Sequence, residues 1–330
     1  MTGTQGAPRG DPGPFKPAPG LRNPHLQTLY ASLVATAARP AFRRERWDTP
    51  DDGDFVDVDF IDGPEGSPWV HLYHGLEGSS NSPYARALME YTHLRGWRGS
   101  VFHFRGCSGE PNRLARAYHS GDTAEINWSL RRVKRLAGSA PLYVAGISLG
   151  GNAFAKWLGE RAEEAREVVA RAAIISAPLD LTAAGDALGR GITRMYALHF
   201  LGTLKSGALE KLQRFPGLYD AAAVRRARTL REFDDVVTAP IHGFRDASDY
   251  WYRASAKPHL HDVRVPKLLL NARDDPFLPG MHLPTQREVS TAIRLEFPAH
   301  GGHVGFIAAP FPGRIQWLPQ RLMHFFEESQ

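Results

Sequence analysis

The sequence predicts an α/β fold, in which a mostly parallel central sheet carries helices on both faces and receives an inserted helical cap. Short β-branched apolar runs alternate with segments that repeat apolar residues at helical spacing, which is typical of parallel strands joined by crossover helices. A glycine-rich turn with a serine at its centre, residues 146–151, joins one such strand to one such helix. The alternation stops between residues 181 and 257 and then resumes, which predicts the insertion.

Composition places the chain among globular proteins with one large core. It has 330 residues, of which 42% are hydrophobic, enough for such a core and an insertion. The arginines behind the formal charge of +5 alternate with acidic residues, so we expect solvated faces and no nucleic-acid partner. The one cysteine, Cys107, allows no internal disulfide and is interpreted as a small buried hydrophobe rather than a reactive thiol. No apolar stretch has the length of a membrane span or signal region, so a cytoplasmic protein is expected.

The first 39 residues predict an arm followed by a helix. Residues 1–20 are rich in Gly and Pro with little to bury, which favours a flexible N-terminal arm. Residues 21–39 repeat apolar residues on one side of a helix: Leu26, Leu29, Leu33 and Ala37. This helix either packs against the rest of the protein or lies at a membrane surface. Its polar face lacks the Lys and Arg density of interfacial helices, which favours docking.

Two alternating runs, residues 41–48 and 55–61, predict a hairpin around the turn sequence at 50–53. The acidic side chains of Asp54, Asp57 and Asp59 could indicate a calcium site. Asp57 and Asp59 are two residues apart, so both side chains point to the same, outward face of the predicted strand. We therefore expect them to be exposed to solvent instead.

The remaining elements follow from the same periodicities. Before the serine turn we expect strand 70–73, helix 84–95, strand 100–104, helix 123–136 and strand 142–147. After it we expect the helix that starts at residue 148, strand 172–176, strands 267–272 and 293–297, and a closing helix over 315–327.

The insertion defines the predicted domains: a flexible arm (1–20), the first part of the core (21–180), a helical cap (181–257) and the second part of the core (258–330). A stripe within the cap recurs at i+4 steps: Ile192, Tyr196, Phe200 and Leu204. Such a stripe could line an acyl-chain site, but packing of the cap onto the body is the favoured interpretation.

The turn sequence Gly-Ile-Ser-Leu-Gly, residues 146–150, predicts a nucleophilic serine. A serine on so tight a strand-to-helix turn leaves no room for side chains two residues away, which explains Gly146 and Gly150. The helix behind Ser148 points its positive dipole end and free amides at the hydroxyl, which favours a developing oxyanion.

A serine nucleophile needs a base and a third group that holds the base. In the chain order of nucleophile-elbow enzymes the acid follows the strand after the insertion, where Asp274 and Asp275 lie. Pro276 biases Asp275 towards an extended conformation that would project its carboxylate from the strand end. We therefore predict Asp275 as the acid; Asp274 remains the alternative and could instead cap the turn.

The base is expected in the loop after the final strand. His303 has glycine close on both sides, so its backbone can approach the site closely. His300 at i−3 could indicate a metal pair, but no cysteine or carboxylate nearby completes a coordination sphere. We predict His303 as the base, His300 as a local structural or surface residue, and no metal or organic cofactor.

Two backbone amides should hold the oxyanion. One is the amide of Leu149, directly after the nucleophile. The other is expected from the glycine-containing loop after strand 70–73, where the amide of Leu76 is the best candidate.

Several longer segments resemble one family. They are LRNPHLQTL (21–29), LYHGLEGSSNSPY (72–84), FHFRGCSGEPNR (102–113), YHSGD (118–122), GISLGGNA (146–153), ARDDPFLP (272–279) and GGHVGF (301–306). Together they resemble the YheT branch of the α/β-hydrolases, which also includes animal ABHD proteins related to monoacylglycerol lipases. The similarity runs from about residue 15 to the C terminus.

The resemblance implies an α/β-hydrolase fold with Ser148 as nucleophile, Asp275 as acid and His303 as base. It also implies a carboxylic-ester hydrolase whose partners are small esters or acylglycerol-like lipids, with transient membrane-surface contact. Some relatives are credited with acyl transfer and carry a His-x-x-x-x-Asp motif, whereas His119 here has Asp122 three residues on. An acyltransferase or thioesterase on the same triad stays open. A non-catalytic lipid-binding module is disfavoured because all three triad members are present.

Overall fold

One eight-stranded sheet forms the centre of the molecule, in the strand order β1-β2-β4-β3-β5-β6-β7-β8. A computed structural model describes residues 8–35, 40–50, 53–310 and 312–328. The pairs β1–β2 and β2–β4 are antiparallel, and the later pairs are parallel. The strands are β1 (Arg43–Asp48), β2 (Phe55–Ile61), β3 (Trp69–Tyr73), β4 (Arg98–Phe102), β5 (Leu142–Ile147), β6 (Arg171–Ile175), β7 (Lys267–Leu270) and β8 (Ile293–Glu296).

Helices connect the parallel strands and fill the insertion. The helices of the body are α1 (Pro24–Leu33), α2 (Pro83–Leu94), α3 (Thr123–Ala137), α4 (Ser148–Arg161), α5 (Ala165–Val168) and α12 (Trp317–Glu327). Those between β6 and β7 are α6 (Leu181–Leu188), α7 (Arg194–Arg214), α8 (Ala221–Arg226), α9 (Leu230–Phe233), α10 (Ala239–Ile241) and α11 (Ala247–Ala254).

The sheet separates two hydrophobic clusters. Val144 of β5 belongs to a cluster with side chains of α3 and α4, whereas the next residue, Ala145, belongs to a cluster with α2 and α12. Successive strand residues point to opposite faces, so helices cover both sides of the sheet. The predicted fold class is confirmed, and most element boundaries agree with the sequence within about two residues.

The stretch between β6 and β7, all of it described, contains helices and no strand, as expected. Tyr196 and Phe200 pack against Phe277, with ring centroids 5.0 and 5.9 Å apart, and Leu204 packs against a cluster within the segment itself. Ile192 precedes α7 and is exposed. Tyr196 and Phe200 therefore pack onto a residue outside the segment, Leu204 packs within it, and Ile192 faces solvent.

The hairpin β1–β2 forms as expected, although residues 51 and 52 of its turn lie outside the described residues. The expected exposure of Asp57 and Asp59 is wrong, because both are buried, as is Asp54. Strand parity identifies a face of the sheet but not what covers it. Arg46 donates to Asp57 and Arg44 to Asp59, at 2.9 and 2.7 Å.

The N-terminal arm is attached along its described part. Ala18 is buried and its amide donates to the carbonyl oxygen of Ile307 at 3.0 Å. Phe15 packs edge-on against the rings of Phe306 and Trp317. Residues 8–20 therefore differ from the expected flexible arm because these few apolar side chains dock on the body. Residues 1–7 lie outside the described residues.

Helix α1 docks on the body, but through polar side chains. Gln27, Thr28 and Ala31 are buried, whereas Leu26, Leu29 and Leu33 are exposed; Ala37 lies outside the described residues. The side-chain amide of Gln27 donates to the carbonyl oxygens of Leu21 and Ile307. These hydrogen bonds satisfy buried polar groups and leave the apolar stripe in contact with solvent.

Candidate active site

Ser148 lies on a strained turn between β5 and α4. Its φ of 50° is in the left-handed region, which residues other than glycine rarely adopt. A Cβ atom at Gly150 would lie 2.4 Å from the carbonyl oxygen of His74, and one at Gly146 would lie 2.8 Å from Cα of Gly151. These distances leave room only for glycine. The turn therefore presents the serine hydroxyl beyond the end of the sheet.

Ser148, His303 and Asp275 form a continuous chain of hydrogen bonds. Oγ of Ser148 lies 2.9 Å from Nε2 of His303. Nδ1 of the same ring lies 3.2 and 3.0 Å from the two carboxylate oxygens of Asp275. Because a carboxylate only accepts, we assign the Nδ1 proton to the bond with Asp275, which leaves Nε2 as the acceptor for the serine proton. The arrangement can deprotonate the hydroxyl.

Asp275 and Phe277 hold the imidazole of His303 from two sides. The Asp275 side chain is fully buried and also accepts a hydrogen bond from the Phe277 amide at 2.8 Å. The Phe277 ring stacks on the imidazole, with centroids 3.9 Å apart and planes 18° apart. The ring is thus fixed by its edge and by one face.

Asp274 and His300 form a separate pair beside this chain. Nδ1 of His300 lies 3.1 Å from one oxygen of Asp274, and the amide of Gly302 donates to the other oxygen at 3.0 Å. The His300 side chain is far more exposed than that of His303. The structure therefore brings Asp275, and not Asp274, to His303.

Two further residues, which no local motif predicted, hold the backbone of the histidine loop, residues 301–307. The amide of His303 donates to Oγ1 of Thr28 at 2.9 Å, and the amide of Val304 donates to Oγ of Ser176 at 3.1 Å. They lie 275 and 128 residues away in sequence. Thr28 belongs to the segment 21–29, whose resemblance to the family was the one signal that could have drawn attention to it.

The amides of Leu76 and Leu149 lie on the loop and helix that flank Ser148. A Cβ at Gly75 would lie 3.1 Å from Cβ of Ser148, so the loop after β3 runs against the serine. The amides of Gly75, Glu77 and Gly150 donate to Tyr84, Tyr118 and His74 respectively. The amides of Leu76 and Leu149 form no hydrogen bond with any described residue. Both can donate to an added oxygen.

A cavity of about 910 Å³ opens at Ser148 and His303, within the range of sites for small ligands. Its walls from the helical segment are largely apolar and include Leu181, Leu188, Phe200 and Leu204. Lys211 also lines it, and donates to Oδ1 of Asn112 at 2.9 Å. Burial lowers the pKa of Lys211 to about 8. The cavity lining is therefore largely apolar but includes polar side chains such as Lys211 and Asn112.

Burial favours the neutral forms of three further groups in or near the cavity, His119, His242 and Cys107. Burial lowers the pKa of His119 to about 4 and that of His242 to about 3, and their rings lie 4.4 Å apart. The carboxylate of Asp122 caps α3 by accepting from the amide of Glu125, and it also accepts from Arg116 at 2.6 Å. Burial also raises the pKa of the Cys107 thiol, which disfavours a thiolate nucleophile.

Within the described ranges, no cluster of three His, Cys, Asp or Glu side chains is placed to bind a metal ion. The described helices also include none with both the length and the apolar character needed to cross a bilayer.

The fold of this chain resembles that of solved esterases. Est1E from Butyrivibrio proteoclasticus superposes with a TM-score of 0.54 at 13% identity, covering 86% of this chain and 97% of that one. A bacterial membrane phospholipase A superposes with a TM-score of 0.53 at 15% identity, covering 92% of this chain and 89% of that one. At such identities the similarity concerns the fold alone.

Sequence comparison gives the family. Residues 68–310 match the model of the α/β-hydrolase fold family. A protein of Escherichia coli, named provisionally as the esterase YheT, is 41% identical over 93% of this chain and 91% of its own length. The mouse phospholipase ABHD3 is 28% identical over 91% of this chain and 75% of its own length. The chain therefore belongs to the α/β-hydrolase family, within the esterase- and lipase-type branch that includes YheT.

Proposed function

We propose that the protein is a serine hydrolase that cleaves carboxylic esters, with Ser148 as nucleophile, His303 as general base and Asp275 as the group that orients the base. The observation that carries the proposal is the hydrogen-bonded chain from Ser148 through His303 to the buried carboxylate, at the mouth of a largely apolar cavity. Such a chain converts a weakly nucleophilic hydroxyl into one that attacks a carbonyl carbon.

The proposed reaction has two steps. Oγ of Ser148 attacks the ester carbonyl while Nε2 of His303 takes its proton, and the amides of Leu76 and Leu149 donate to the oxyanion. The imidazolium then protonates the leaving alcohol as the carbon–oxygen ester bond breaks, which leaves an acyl group on Ser148. Water, deprotonated by the same imidazole, attacks the acyl carbon and releases the carboxylic acid.

The substrates proposed are small esters or acylglycerol-like lipids. The leucines and phenylalanine that line one side of the cavity suit an acyl chain. The names of the relatives support this class, since they include a monoacylglycerol lipase of Saccharomyces cerevisiae and the phospholipase ABHD3. In this proposal residues 181–257 act as a cap over the site, between core parts 21–180 and 258–330.

Replacement of Ser148 by alanine tests the proposal directly. Ser148→Ala is expected to fold normally and to lose turnover of p-nitrophenyl esters, because among the described residues no other hydroxyl is bonded to the imidazole of His303. Labelling by a fluorophosphonate probe should disappear in parallel. Ester turnover by Ser148→Ala at the wild-type rate would rule out this site.

We also propose that a lipid surface presents the substrate. The described chain has eleven exposed large apolar side chains, and six lie on α1, just before α7 or in its first turns: Leu26, Leu29, Leu33, Ile192, Met195 and Leu198. We call these six the apolar rim. Leu29, Leu33 and Met195 also line the cavity. The two helices meet where the His25 ring stacks on Tyr196 and bonds to its hydroxyl at 3.1 Å.

The charge around the apolar rim suits an anionic lipid surface. Residues 21–35 and 187–209 contain no aspartate or glutamate. The same stretches carry Arg22, Arg190 and Arg194, which are exposed and form no ion pair with any described residue. Exposed apolar side chains bordered by cations are typical of surfaces that contact anionic lipids.

A further inference from the structure

We propose that Thr28, Ser176 and Asp274 are positioning residues that fix the place of the His303 imidazole; this inference rests on the proposed function. Three consecutive amides of the histidine loop, those of Gly302, His303 and Val304, donate to side-chain oxygens of Asp274, Thr28 and Ser176 in turn. The three acceptors come from the loop after β7, from α1 and from the end of β6. The backbone around His303 is therefore held from three directions.

The acceptors are themselves fixed. The hydroxyl of Thr28 donates to the carbonyl oxygen of Pro24 at 2.8 Å, so its lone pairs face the loop. The amide of Ser176 donates to the carbonyl oxygen of Leu270 at 2.9 Å, and its backbone has a φ of 47°. A backbone in that region persists only where its surroundings hold it, so the position of Cα and Cβ of Ser176 is fixed.

The loop and α1 are in backbone contact. A Cβ at Gly302 would lie 2.5 Å from the carbonyl oxygen of Pro24, and one at Gly305 would lie 2.7 Å from that of Gln27. Oε1 of Gln27 also accepts from the amide of Ile307 at 2.7 Å. Helix α1 thus follows the histidine loop from Gly302 to its end.

The loop needs such support because its conformation is strained. Val304 and Phe306 have φ values of 56° and 42°. This left-handed conformation is energetically unfavourable, especially for a β-branched residue such as Val304. Hydrogen bonds to fixed oxygens offset this strain. Without them we expect the loop to relax and to move Nε2 of His303 away from Oγ of Ser148, now 2.9 Å apart.

The test compares Thr28 with a second threonine that has a similar environment but no contact with the histidine loop. Thr92 in α2 is buried like Thr28, and its hydroxyl likewise donates to the carbonyl oxygen four residues earlier, but accepts from no loop amide. Thr28→Val should lower kcat for a p-nitrophenyl ester by about tenfold to a hundredfold with KM within about twofold of wild type. Thr28→Ser should restore kcat. Thr92→Val should change stability but not kcat, and Ser176→Ala should repeat the kinetic effect of Thr28→Val.

Amide hydrogen exchange gives a readout that does not depend on activity. Thr28→Val should speed exchange in a peptide that spans residues 301–307, and Thr92→Val should not. Equal kcat for Thr28→Val and Thr92→Val, or unchanged exchange in the loop, would overturn the inference while leaving the proposed function intact. Retained turnover in Ser148→Ala would instead remove the proposed function, and the exchange measurement would still decide whether Thr28 holds the loop.

Discussion

At the scale of single residues, the backbone after β7 gives two adjacent carboxylates different partners. Asp275 is buried against His303 and the Phe277 amide, whereas Asp274 meets His300 and the Gly302 amide. We expect Asp275→Asn to lower kcat for a p-nitrophenyl ester by about 10²–10⁴-fold, because an amide NH₂ group facing Nδ1 favours the wrong tautomer of the ring. Steady-state kinetics at one pH measures the effect.

Asp274→Asn is the matched control. Its remaining amide oxygen can still accept from Gly302, so its kcat should fall by less than about tenfold. The larger loss in Asp274→Asn would reverse the assignment and make Asp274 the partner of the base.

The role of a residue could be predicted where neighbouring residues in the sequence indicate it. The role could not be predicted where it depends on contacts with residues far away in the sequence. Gly146 and Gly150 mark Ser148, and the flanking glycines mark His303. Thr28 and Ser176 carry no such mark, because a buried hydroxyl that accepts from a remote amide looks like any other threonine or serine in sequence. Asp57 was wrongly expected at the surface because the chain does not show locally that Arg46 covers it.

At the scale of elements, α1 shows why an apolar stripe does not decide which face of a helix is buried. The periodicity of Leu26, Leu29 and Leu33 predicted the helix but not its orientation. Burial of Gln27 and Thr28 is stabilised because both side chains find hydrogen-bond partners. Such partners belong to a loop near the far end of the chain, which no local pattern reveals.

The helical segment between β6 and β7 contains a buried carboxylate that should make stability depend on pH. Burial raises the pKa of Asp234 from its ordinary value of 3.8 to about 6, although Thr238 and Trp251 donate hydrogen bonds to it. Because the folded state binds this proton more tightly, its contribution is fully present below about pH 4 and is lost as the pH rises through 6. We expect a loss of about 2–3 kcal/mol in the free energy of unfolding.

Urea unfolding of wild type and Asp234→Asn at pH 5 and pH 8 measures the part of this loss that falls above pH 5, about 1.4 kcal/mol. The variant should lose less stability than wild type between the two pH values, since an amide does not titrate. Asp186→Asn, at an exposed position of the same segment, should keep the wild-type dependence. An identical pH dependence in wild type and Asp234→Asn would contradict the expectation.

At the scale of the whole molecule, strand and helix periodicities predicted the sheet, its helical layers and the position of the insertion. The sequence did not predict which surfaces remain exposed once residues far apart in the chain pack together. The attachment of Phe15 and Ala18 to the body, and the exposure of the leucines on α1, both follow from contacts with residues about 300 positions away. The apolar rim is a product of that packing.

The apolar rim predicts binding to anionic lipid vesicles. Wild-type protein should co-sediment more strongly with phosphatidylcholine vesicles that contain phosphatidylglycerol than with phosphatidylcholine alone, because exposed arginines attract anionic lipid. Leu26→Asp with Ile192→Asp should lower vesicle binding by about tenfold, since carboxylates resist insertion among anionic headgroups. Both side chains lie outside the cavity lining, so hydrolysis of a water-soluble p-nitrophenyl ester should persist.

The control for this prediction places the same charges on another surface. Leu94 and Leu136, at the ends of α2 and α3, are 37% and 48% exposed, comparable with 47% for Leu26 and 57% for Ile192. Leu94→Asp with Leu136→Asp should leave vesicle binding unchanged, because neither residue belongs to the apolar rim. Equal losses in the two double variants would overturn the lipid proposal, as would wild-type protein that fails to sediment with anionic vesicles. So would a dimer in size-exclusion chromatography that Leu26→Asp with Ile192→Asp dissociates, since a second copy would then cover the rim.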